Sequence, residues 1–166
     1  DLLLEKTGGN PMLLRLGIGA LEQQPSAELS QVSHSFAGYL IDTALGSLDH
    51  CARQLLEFVS VWRSTVDLTD ARLAELMSTE WRAYDHRTAL NSLQRSRLID
   101  HIHRASPHPI LRAPLLTNLN TQPDQRRRVH ALAATWALIT GETIEAAYHL
   151  LHAGDIQRAC DLITAQ

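Results

Sequence analysis

The sequence predicts a mainly α-helical chain with one small β-hairpin. Apolar residues recur at helical spacing over most of the 166 residues. Helix start and stop residues, chiefly Gly, Pro, Ser and Asp, punctuate those runs at short intervals. One stretch, RLIDHIHRASPHPILRAPLL at 97–116, changes period around Ser-Pro-His-Pro and reads as two short strands and a turn.

Asp1-Leu2-Leu3-Leu4-Glu5-Lys6 reads as the end of a helix, and the missing initiator Met suggests a fragment of a longer protein. Gly8-Gly9-Asn10-Pro11 leads into a buried helix carrying Met12, Leu13, Leu16 and Ala20. Pro11 falls in its first turn, where a missing N–H costs nothing. Pro25-Ser26 interrupts that helix. Phe36, Tyr39, Leu40 and Leu45 predict another, ending near Gly46. Ser47 or Asp49 caps the next, in which Ala52, Leu55, Leu56, Val59 and Trp62 follow helical spacing. Thr69 or Asp70 starts a short helix with Leu73, Ala74, Leu76 and Met77. A further helix runs from about Asp85 to Arg97 with Ala89, Leu90 and Leu93 inward. Leu98, Ile99, Ile102 and Ile110 supply the hairpin, and Pro114 opens another helical segment.

Helices are then expected over Gln125 to Ile139, Thr143 to Ala153 and Asp155 to Thr164. GETIEAA and GDIQRAC share a Gly-acidic-x-x-x-Ala pattern, which suggests the start of a helical repeat array. The order helix, helix, helix, hairpin over 48–112 is that of a winged helix. Trp62, Trp81 and Trp136 lie on or beside helical patterns and are expected in the core.

An apolar fraction of 45% supports a packed core. No signal peptide is expected. The stretch from Met12 to Leu21 is broken by Arg15 and too short to span a bilayer, so no membrane role is expected. Cys51 and Cys160 are far apart and suit buried thiols in a reduced, cytoplasmic protein, though a bridge between them stays open. Charge is uneven. Residues 1–81 hold five basic and eleven acidic side chains, residues 82–128 hold nine Arg against three Asp, and residues 129–166 are again acidic. Arg pairs bidentately with phosphate and with carboxylate, so the basic block suits nucleic acid or acidic protein surfaces.

GGNPMLLRL resembles the Gly-x-Pro sensor motif in the lid of signal-transduction ATPases with numerous domains, the STAND class of P-loop NTPases. Members commonly place a winged helix and then helical repeats after that lid. AATWALITGETIEAAYHLLHAGDIQRACDLI resembles the start of the tetratricopeptide-type array in maltose-activator-like transcription regulators of the class. The resemblance implies a lid remnant at 1–33, a winged-helix domain at 34–121 and a TPR-like array from 122 to 166. It implies that Gly9, Asn10 and Pro11 bind ATP or ADP in the whole protein, with Pro11 packed near the adenine. A phosphate-sensing His of the family is replaced here by Ala113 in Arg112-Ala113-Pro114-Leu115-Leu116. No Gly-x-x-x-x-Gly-Lys-[Ser/Thr] loop occurs, so an upstream ATPase core would supply it, and this stretch is expected to be non-catalytic and to bind no cofactor by itself.

Arg87, Asn91, Gln94, Arg95 and Arg97 lie on or beside the third helix, the one that enters the major groove in DNA-binding winged helices, and Arg104 and Arg112 would flank the wing. The alternative is that these residues grip acidic surfaces of the same protein. Arg126-Arg127-Arg128 reads as a solvated face. His101 and His103 share a strand face, with His108 across the turn, but no Cys or placed carboxylate completes a metal site. His149 and His152, three apart, read as a surface or inter-repeat face. No nucleophile elbow is present. The expected role is a regulatory switch in signalling or transcription, with a protein partner or inducer at the repeats. A DNA-binding module and a nucleotide-free interaction scaffold are the alternatives.

Overall fold

The computed structural model describes residues 2–23, 36–99 and 101–165. The break expected at Pro25-Ser26, the side chain of Ala20 and the placement of Asp100 lie outside the described residues. Ten α-helices occur among the described residues, and no helix among them is long and apolar enough to cross a membrane.

Helix α1 (Leu2–Thr7) ends in two left-handed glycines, Gly8 at φ 59° and Gly9 at φ 74°. That conformation is open to glycine at little steric cost. Asn10 then caps α2 (Pro11–Gln23), its Oδ1 accepting from the N–H of Met12 at 3.0 Å and of Leu13 at 3.2 Å. Where α1 crosses α2, a Cβ on Gly17 would lie 2.4 Å from a Leu3 methyl. Helix α3 (Phe36–Gly46) buries Phe36, Leu40 and Ile41 against α2.

The middle of the chain holds three helices with carboxylate caps. Asp49 caps α4 (His50–Val61), Asp70 caps α5 (Ala71–Glu80) and Asp85 caps α6 (His86–Arg95). Each side chain accepts a backbone N–H of the first turn, satisfying a donor that has no partner within the helix. Helix α4 is the centre of the molecule: Ala52, Leu55, Leu56, Phe58 and Val59 are all fully buried. Trp62 follows as its C-cap, 1% exposed, and Trp81 ends α5 at 2%.

Among the described residues the expected hairpin is not found. Leu98 and Ile99 are buried in irregular chain, and Ile102–Arg104 makes a single 3₁₀ turn. Val66, between α4 and α5, pairs antiparallel with Ala105, the two exchanging hydrogen bonds of 3.0 and 2.8 Å. Leu68 adds one more, to the Ile102 carbonyl at 2.8 Å. Ser-Pro-His-Pro therefore does not turn one strand into another. His108 caps α7 (Pro109–Asn120) through Nδ1, and Pro109 occupies its first turn. Ile110 belongs to this helix, and Pro114 lies inside it rather than opening it.

Helices α8 (Pro123–Thr140), α9 (Thr143–Ala153) and α10 (Ile156–Thr164) stack in succession. Gly141 at φ 79° and Gly154 at φ 91° close the first two with left-handed caps. The Gly-acidic echo read from the sequence is this repeated joint. Buried residues from Met12 in α2 to Ala146 in α9 belong to one hydrophobic cluster. All three tryptophans are inside it. The cysteines are less buried than expected: Cys51 is half-buried, Cys160 is exposed, and both are free thiols.

Candidate functional site

Three places bring chemistry-bearing residues together. The first is the Gly8–Pro11 turn. The space that a Cβ would take on Gly8 or Gly9 is open, and Pro11 is exposed at the N-terminus of α2. Locally, Asn10 is accounted for as a helix cap. Ala113 is exposed on α7.

The second is the outer face of α6. Arg87, Asn91, Gln94 and Arg95 are exposed together on it. Asn91 and Arg95, with Thr88, Ser92 and Ser96 of the same stretch, border a polar cleft of about 360 Å³ closed by Ser47 and Asp49. Arg87 and Arg95 form no side-chain hydrogen bond or ion pair among the described residues. The other basic residues are placed differently. Arg97 has a left-handed backbone at φ 57°, and its carbonyl accepts from Arg15 Nη2 at 3.5 Å. Arg104 is exposed in the 3₁₀ turn. Arg112 is half-buried; its Nε donates to the Ser60 carbonyl at 3.0 Å and its Nη2 to the Trp62 carbonyl at 2.6 Å. These are carbonyls at the end of α4, so a cation there is favourable to the helix dipole. Arg112 acts here as a clamp between α4 and α7.

The third place is the junction of α4 with α8 and α9, of which the sequence singled out only His149 and His152. His130 of α8 and His149 of α9 are 5% and 0% exposed, and their Nδ1 atoms lie 2.9 Å apart. One imidazole must donate and the other accept. His149 Nε2 lies 3.4 Å from Glu145 Oε1. A proton on that Nε2 faces a carboxylate, whereas a lone pair there would be repelled by it. The favoured arrangement is therefore His149 protonated at Nε2, with His130 donating from Nδ1. His152 stacks on His130 at 4.8 Å and accepts from Arg126 Nη2 at 2.9 Å.

Around this cluster, Trp62 packs on His149 at 5.3 Å. Arg63 forks onto Glu145 Oε2 from Nε at 2.9 Å and Nη2 at 2.6 Å, and its guanidinium lies 4.1 Å from the Tyr148 ring centroid. Burial holds His130 and His149 below the ordinary imidazole pKa, and the Glu145 charge offsets this only in part at His149. Burial also lowers His152, with Arg126 adding to the effect. Burial opposes ionisation of Glu145, but the Arg63 hydrogen bonds prevail and keep it low.

His149 and His152 thus face the neighbouring helix, as one of the sequence readings held. Their third partner, His130, sits nineteen residues from His149. Its only signal in the sequence was a His inside the apolar run Val129–Ala134. His101, His103 and His108 do not share a strand face, because the strand is a 3₁₀ turn. His103 Nδ1 meets Thr69 and Asp67, while His108 caps α7. Among the described residues no three His, Cys, Asp or Glu side chains converge as a metal site. Comparison of the chain with family models, with curated proteins and with solved structures found no match.

Proposed function

We propose that this chain is a non-catalytic regulatory module of a STAND-type signal-transduction ATPase, in which a winged-helix unit couples nucleotide state to a helical-repeat sensor. The carrying observation is the Val66–Ala105 bridge. It ties the segment between α4 and α5 to the segment after α6, an antiparallel pairing that supports the winged-helix reading. That unit lies between α2, which begins Asn10-Pro11, and the Gly-jointed helices α8 to α10. Exposed Pro11 beside two open glycines suits approach of a flat base, with ATP or ADP held mainly by an upstream P-loop core. A partner or inducer at the repeats, a cytoplasmic location and a role in transcription or signalling belong to the same reading. Such a switch requires a nucleotide that binds its two states with different affinity.

The test is calorimetric titration of ATP and ADP into the full-length protein that carries this chain, with Pro11→Ala beside it. Saturable binding weakened by Pro11→Ala is expected. No binding by a folded full-length protein overturns the proposal.

A second reading, DNA contact, is favoured by the exposed set Arg87, Asn91, Gln94 and Arg95 on one helix. Fluorescence anisotropy with duplex DNA across a salt series tests it. On this reading each of Arg87→Ala and Arg95→Ala lowers the salt slope by about 1.

A further inference from the structure

A second cleft, of about 340 Å³, opens where α4 meets the end of α7 and the start of α8. Helix α4 faces it with His50, Arg53, Gln54 and Glu57, spaced i, i+3, i+4 and i+7 on a single face. Gln54 is 7% exposed and Glu57 is 9% exposed, burial that ordinarily goes to apolar side chains or to fully paired polar ones. Neither is fully paired. Among the described residues the Gln54 amide makes no hydrogen bond, yet it borders the cleft. The Glu57 carboxylate accepts only one, from Gln125 Nε2 to Oε2 at 3.0 Å.

The two arginines that border the cleft do not neutralise Glu57. Arg53 stands four residues before it, a spacing that allows an ion pair on a helix. Instead its Nη2 turns back to the Leu45 carbonyl at 2.9 Å. Arg128 donates to the Glu80 carbonyl and lies over Trp81. Each guanidinium has five N–H donors, so both keep donors for another acceptor. The cleft is therefore lined by a largely buried carboxylate that forms no ion pair among the described residues and by two exposed arginines that form none either. Burial accordingly raises the Glu57 pKa, against the pull of Gln125, Arg53 and His50.

We propose that this cleft binds a small zwitterion, an α-amino acid, whose ammonium group pairs with Glu57 and Gln54 and whose carboxylate pairs with Arg53 and Arg128. The charges decide the class. A simple anion would meet the buried Glu57 carboxylate. A neutral polyol would leave that carboxylate buried without a counter-charge, which is costly. A zwitterion satisfies both signs at once, and the cleft volume suits a ligand of that size. The site is built by α4, α7 and α8 and does not depend on the nucleotide reading of Gly9–Pro11.

Isothermal titration of the intact chain with the common α-amino acids, each up to about 10 mM, tests the proposal. At least one is expected to bind saturably. Its N-acetyl form, lacking the ammonium group, and its decarboxylated amine should not. Glu57→Gln keeps the shape and is expected to weaken binding by about tenfold or more, as for loss of a charged hydrogen bond. Gln54→Leu keeps much of the side-chain volume and is expected to lose binding, because it removes the amide oxygen that receives the ammonium group. No heat from any amino acid with a folded chain overturns the site. So does equal binding of the amine, or wild-type affinity in folded Glu57→Gln.

Discussion

Two sets of three histidines divide the molecule. His101, His103 and His108 lie close in sequence beside the 3₁₀ turn, all exposed. His130, His149 and His152 come from two helices and form one contiguous stack, two of them buried. Clustering in sequence put the first set forward; packing assembled the second. The same imidazole is a solvated surface group in one place and a costly buried dipole in the other. The difference teaches that helix-on-helix contact, rather than spacing along the chain, decides where histidine chemistry concentrates here.

The largest expected effect comes from cutting into the buried set. His149→Ala removes a ring packed on Trp62 and leaves His130 Nδ1 without its partner. Urea melts should show a loss of about 2–4 kcal/mol. His103→Ala in the exposed set should stay within about 0.5 kcal/mol. Equal losses would break the comparison.

Acid should separate the sets next. His130 and His149 have folded pKa values below that of an unfolded imidazole. The unfolded chain then binds more protons once pH falls below about 6.5, so stability falls with pH from there. Each such imidazole contributes up to about 1.4 kcal/mol per pH unit. Melting temperatures from pH 7 to 5 should drop steeply in the wild type. The drop should be shallower in a His130→Phe, His149→Leu double variant and unchanged in His101→Gln with His103→Gln. An unchanged slope in the double variant would place the acid sensitivity elsewhere.

The smallest effect concerns the charged edge of the buried set. Arg63 is 47% exposed on its side chain, so its pair with Glu145 is screened. Arg63→Met should cost about 1 kcal/mol or less, and less again at high salt. A larger, salt-independent loss would mean that Arg63 belongs to the buried network itself.

Much of the helical order was legible because short polar residues mark helix ends. Asp49, Asp70, Asp85 and Asp155 sit at caps, and Gly141 and Gly154 end helices in the left-handed region. The hairpin was misread because Leu98, Ile99 and Ile102 have the apolar density of a strand, and buried irregular chain has the same density. His108-Pro109 also reads equally as a turn and as a helix start. The candidate sites were less legible still. Exposure of Arg87 and Arg95 follows from the amphipathic pattern of α6, but the engagement of Arg112 by the end of α4 depends on how α7 docks. Glu57 and Gln54 carry no mark of burial in the sequence, since nothing local says that α7 and α8 pack beside them.

The hydrophobic cluster that joins α4 to α9 has a mechanical consequence. A displacement imposed on α4 passes through α8 to α9 without a soft joint, because these helices pack directly on one another and close-packed side chains resist compression. The stretch behaves as a crank: its stiffness is set by the volumes of residues such as Leu55, Phe58 and Trp62, and slack enters only where one of them is made smaller.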